Sequence, residues 1–204
     1  MNTSITALLM LAVFSGLSMN LILQFGLALK RVAFESSAGI GKERLLVGMG
    51  ILFTADVLLW LIFSFARSAL FLGFLEYMLI FPASSLAFSV LEYLAIRFIL
   101  KGDALRKESF FLNNTLSGGA LIGAALFITL NVAGGLLDAM VLSLGFSCST
   151  ALVFVVVSEI RRRSEMEAVP RWLRGGPLAL IAMGLLSLIF SSGALMLFGV
   201  LGTG

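Results

Sequence analysis

Most charged residues in this chain fall in a few stretches, and the segments between them are long enough to cross a bilayer. Residues 5–29 carry no charge over 25 positions, and about 20 predominantly apolar residues suffice to span the hydrocarbon core. Similar segments follow at 45–66, 78–100, 110–130, 139–158 and 176–201. In lipid every backbone N–H and C=O must be bonded inside the protein, so only helices and closed barrels can span. Segments of this length suit helices, because a barrel strand needs only about 9–11 residues. The expectation is an all-α membrane protein with six transmembrane helices, forming one domain over residues 1–204. Charged residues make up 12% of the chain and hydrophobic ones 60%; a soluble domain has about 25% charged. The first segment lacks a preceding basic region, so it reads as a retained span rather than a cleaved signal.

The basic residues set the orientation. Lys30, Arg31, Lys42 and Arg44 lie between the first and second segments. Arg97, Lys101, Arg106 and Lys107 lie at the end of the third and beyond it. Arg161, Arg162, Arg163, Arg171 and Arg174 lie between the fifth and sixth. With six spans these regions share one side, and only Arg67 is left for the other. Positive loops stay cytoplasmic, so both termini are expected outside. Basicity confined to such loops does not call for nucleic acid. Six spans divide into two sets of three, 1–109 and 110–204, and an odd number per set inverts the second relative to the first. Ser18–Leu29 and Ser117–Ile128 share a pattern of small and apolar residues. The expected architecture is therefore two inverted three-helix repeats.

Several polar or small residues interrupt the apolar segments. Asn113, Asn114, Ser117, Gly118, Gly119 and Gly123 open the fourth, and Asn20, Gln24 and Gly26 form a fainter echo in the first. Glycines let another backbone approach closely, so Gly26, Gly118, Gly119 and Gly123 are expected to form a packing centre. Asn20, Gln24, Asn113 and Asn114 either line an ion or substrate path or make interhelical hydrogen bonds. Asp56 and Glu92 fall inside spans, where an ionisable group costs about 2.5–3.5 kcal/mol on insertion scales. Such a carboxyl is held protonated, paired with a cation, or used to carry an ion or proton. Arg161–Arg163 suit either an anionic partner or a topological anchor. Trp60 and Trp172 read as interfacial aromatics. There is no histidine and one cysteine, Cys148, which excludes an intramolecular disulfide and histidine-dependent chemistry. No catalytic constellation, metal-ligand spacing or cofactor motif is expected.

The C-terminal third carries a resemblance. Gly145-Phe146-Ser147, Glu159-Ile160-Arg161-Arg162-Arg163, Val169-Pro170-Arg171-Trp172-Leu173-Arg174-Gly175-Gly176-Pro177 and Gly184-Leu185-Leu186-Ser187-Leu188 follow one another. This order resembles the Rnf/Nqr integral membrane subunits, and the outward termini are similar to the RnfA and NqrE type. Asn20–Gly26, Glu92 and Gly123–Leu126 are looser matches. The resemblance implies a subunit of an ion-translocating electron-transport complex in a bacterial inner membrane. It also implies pairing, as a homodimer or with a related subunit of opposite topology. In that family cysteines from the first span of each half hold iron. Here the corresponding positions fall at or near Lys30 and at Gly119, so the expectation is a structural or ion-path component with no iron of its own. The alternative is a stand-alone secondary transporter, or a substrate-binding membrane component, using the same repeat.

Overall fold

The structure, a computed structural model, describes residues 5–18, 20–25, 42–70, 75–98, 115–166, 170 and 176–202. Among these it is helical, with no strand. Helix α1 (Ile5–Val13) continues as a π-helical turn, Phe14–Ser18, and then breaks before a five-residue α2 (Leu21–Phe25). Long helices follow as α3 (Lys42–Leu70), α4 (Leu75–Phe98), α5 (Thr115–Val132), α6 (Leu136–Met166) and α7 (Gly176–Gly202). Four of them, α3, α4, α6 and α7, are long and apolar enough to cross a membrane. The interrupted first segment and α5 are shorter apolar stretches.

Much of the outer surface is apolar. Leu46, Leu58, Ile62 and Phe65 of α3 and Leu185, Leu188, Ile189 and Met196 of α7 point outward. An apolar exterior of this extent suits hydrocarbon rather than water. Helix α6 is the hub. Its apolar window is 56% buried, against 11% for that of α7, and it packs on α3, α5, α7 and the first segment. At 31 residues and about 1.5 Å per residue, α6 outruns the bilayer core. Its last turns carry Glu159, paired with Arg163 at 3.0 Å and Arg162 at 3.7 Å.

The most extensive pairing joins α4 to α5. It depends on the glycines expected to form a packing centre. A Cβ on Gly119 would stand 2.9 Å from both Cα and Cβ of Ser85, and one on Gly118 would strike the ring of Phe88. Gly123 faces Ser84 and Phe81 in the same way. Ser84 Oγ lies 2.9 Å from the Gly119 carbonyl oxygen and links the two backbones. With little net hydrophobic drive between helices in lipid, such close approach and hydrogen bonding hold them together. Gly26 lies outside the described residues.

Several expectations need correction. The first segment is not a continuous helix: a π-helical turn and a break interrupt it, whereas Gly118 and Gly119 lie in regular α-helix. Asn20 is the reason, as shown below. The connection placed at 67–77 is mostly helix. Arg67 ends α3, Glu76 begins α4, and they pair through two hydrogen bonds, Nε–Oε2 at 3.0 Å and Nη2–Oε1 at 2.8 Å. This pairing lets both helices extend toward each other. The turn placed at 131–138 shrinks to 133–135, because Asp138 accepts from the Gly134 N–H at 3.2 Å and starts α6 early. Trp60 is buried in the core rather than set at an interface. Trp172 lies outside the described residues.

Candidate functional site

Asp56 sits on α3 midway along the apolar stretch Leu45–Ser68. Only 1% of it is exposed. Helices α5 and α6, antiparallel across the 133–135 turn, each present a hydroxyl to it. Thr129 Oγ1 of α5 lies 3.0 Å from Asp56 Oδ2, and Ser143 Oγ of α6 lies 2.7 Å from the same oxygen. The other carboxyl oxygen, Oδ1, is fully buried and has no hydrogen-bond partner among the described residues. No lysine or arginine among them pairs with Asp56.

Each hydroxyl has a second acceptor within reach. Thr129 Oγ1 is 2.9 Å from the Ala125 carbonyl oxygen, and Ser143 Oγ is 2.7 Å from that of Ala139. A hydroxyl has one proton to donate and lone pairs to accept with. When both hydroxyls donate to Asp56, a carboxylate receives two hydrogen bonds. When they donate to their own helices, they are free to accept from a carboxylic acid. The cluster therefore accommodates both protonation states with only hydroxyl rotation.

The charge arithmetic limits what can bind. A single carboxylate is neutralised by a proton or a monovalent cation, whereas a divalent cation would leave excess charge in the span. No group of three or more acidic, cysteine or histidine side chains suited to a metal exists among the described residues. The three oxygens already meet at hydrogen-bonding distances, which is the spacing of shared protons.

Asn20 occupies the break in the first segment. Its Oδ1 accepts from the backbone N–H groups of Ile22 and Leu23, both at 3.1 Å, and so caps α2. Its Nδ2 donates to Ser149 Oγ of α6. Asparagine is a favoured N-cap because it satisfies amides that a helix start leaves open. The side chain is 1% exposed and satisfies those amides from inside the bundle, which makes the break tenable. Asp56 and Asn20 each bond a different serine of α6. Glu92 is buried on α4. Gln24 has its backbone in α2, its side chain outside the described residues; Asn113 and Asn114 lie wholly outside them.

Sequence reasoning missed the partners, Thr129, Ser143 and Ser149. Hydroxyls are common in membrane helices, so residue type carries little signal for them. Compared with known protein families and with curated proteins, the chain matches no family model and no characterised sequence.

Proposed function

We propose that this chain is a six-span bacterial inner-membrane subunit in which Asp56 carries a proton. The observation that carries the reading is the Asp56 cluster, a buried mid-span carboxyl whose neighbours suit both its charged and neutral forms. The setting is that of an ion-path component. Intramembrane carboxyls facing the bundle interior mark such paths.

The inverted three-plus-three repeat draws support from the packing. Each half contributes a first, second and third helix, and an internal two-fold would pair the interfaces between halves. The packing of α4 on α5 has its counterpart in α7 against the first segment. That of α3 on α5 has its counterpart in α6 against the first segment, and α3 with α4 corresponds to α6 with α7. The second helices, α3 and α6, then meet on the axis. The pair α5–α6 departs from the scheme.

Membership of an Rnf/Nqr-type electron-transport complex is the placement we favour, on the resemblance of residues 145–188, with the basic loops cytoplasmic. The chain would pair there with a second copy or a related subunit. A stand-alone secondary transporter is the other reading, and the broken first segment favours it, because discontinuous helices build transporter sites.

Proteoliposomes with an internal pH-sensitive dye test the proton role. Under an imposed membrane voltage the wild-type chain should acidify the lumen faster than Asp56→Asn, which keeps the shape of the side chain. Equal rates from two equally folded proteins would refute the role. Gentle purification from native membranes separates the two placements: a complex subunit brings partners, and a transporter emerges alone or as a homo-oligomer.

A further inference from the structure

Beyond Asp56 the interface of α3 with α6 carries more hydroxyls. Ser143, Ser147 and Thr150 are four and then three residues apart, so they line one face of α6. Ser147 is buried and donates to the Ser143 carbonyl oxygen at 2.8 Å. Thr150 behaves differently. Threonine in a helix commonly donates to the carbonyl four residues back, as Thr54 does here. Thr150 Oγ1 is fully buried, at a residue 3% exposed, and has no hydrogen-bond partner among the described residues. Thr150 instead lines a cavity of about 10 Å³ between Gly48, Met49 and Leu52 of α3 and Ser147 of α6. That is room for about one water, which needs at least two polar partners. Thr150 and Ser147 are the hydroxyl-bearing residues of its lining, and Gly48 brings no side chain to it.

We propose that this cavity holds a water that relays protons between Asp56 and the end of α6 that carries Glu159, Arg162 and Arg163. The proposal rests on the reading of Asp56 as a proton carrier. The relay step balances simply. A hydronium formed at the water passes its proton toward Asp56 through the Ser147–Ser143 face, leaving water and converting the carboxylate to the acid. Release reverses it. The hydroxyl row lies on one side of Asp56, leading toward Leu45 and Phe154 and away from the Arg67–Glu76 end. Protons therefore reach Asp56 from the basic end of the bundle.

The test follows hydrogen–deuterium exchange at Asp56 in the full chain, held in lipid nanodiscs and transferred to D₂O. The infrared band of the protonated carboxyl is assigned by its loss in Asp56→Asn. Thr150→Val keeps the shape but removes the hydroxyl, and Gly48→Ala adds a methyl at a residue that lines the cavity. Each should slow exchange roughly tenfold or more, the factor set by about 1.4 kcal/mol on the barrier. Thr150→Ser should restore the wild-type rate. Thr150→Val is near-isosteric, so it keeps the test open if Gly48→Ala fails to fold. Wild-type exchange in folded Thr150→Val overturns the relay while leaving Asp56 as the carrier. Absence of any Asp56 band in the wild type across the pH range removes the carrier reading and the relay together.

Discussion

Gly119→Ala is the sharpest test of the packing, because the obstacle it meets is backbone. The new methyl carbon would lie 2.9 Å from Ser85 Cα, 2.9 Å from its Cβ and 3.3 Å from its N. Carbon atoms pack best at about 3.5–4.0 Å, so α4 and α5 must separate by nearly an ångström. No rotamer change relieves this, since Cα and N belong to the α4 main chain. Overpacking of this kind costs about 1–3 kcal/mol. Gly184→Ala on α7 is the control, as nothing lies within 4 Å of its added Cβ. There the substitution should be neutral, or stabilising by up to about 1 kcal/mol through helix propensity. Gly118→Ala adds a contrast, for its methyl meets the ring of Phe88 rather than backbone. Phe88→Leu should therefore relieve Gly118→Ala. Ser85→Gly should relieve Gly119→Ala only in part, because the main chain of residue 85 still blocks the methyl. Reversible unfolding in mixed micelles, followed by circular dichroism, gives the stabilities and the two double-mutant couplings. Gly119→Ala as stable as wild type, or fully rescued by Ser85→Gly, would refute the argument.

Asn20→Ala should cost about 0.5–2 kcal/mol through loss of the cap, and Asn20→Asp should retain the cap, with the Ser149 hydroxyl turning to donate to the new carboxyl; the same unfolding assay reads both. Single cysteines placed in 30–44, 101–109 and 159–174 should react with impermeant reagent only from the cytoplasmic face, and outside labelling of any of these loops would end the six-span topology. Cys148 is exposed and unbridged, so Cys148→Ser should leave folding and assembly unchanged and the purified chain should contain no iron. Stoichiometric iron lost on Cys148→Ser would contradict that.

The apolar segments bounded by charge reveal helices and their approximate extents, because lipid permits little else for chains of such length. Asp56 and Asn20 stand out in sequence for the same reason: polar groups inside a span are costly and must be used or satisfied. Gly118 and Gly119 announce a close approach, but the sequence is silent on Ser85 and Phe88 as what approaches. The break at Asn20 was equally hidden. An asparagine in a span fits an interhelical bond or a cap, and the choice depends on Ser149 standing opposite to receive its amide. Thr129, Ser143 and Thr150 look alike along the chain, each able to donate to its own helix. Only the packing of α3 against α5 and α6 turns the first two toward a carboxyl and leaves the third beside a cavity. A hydroxyl's role is set by its neighbours across the interface, and those neighbours are distant in sequence.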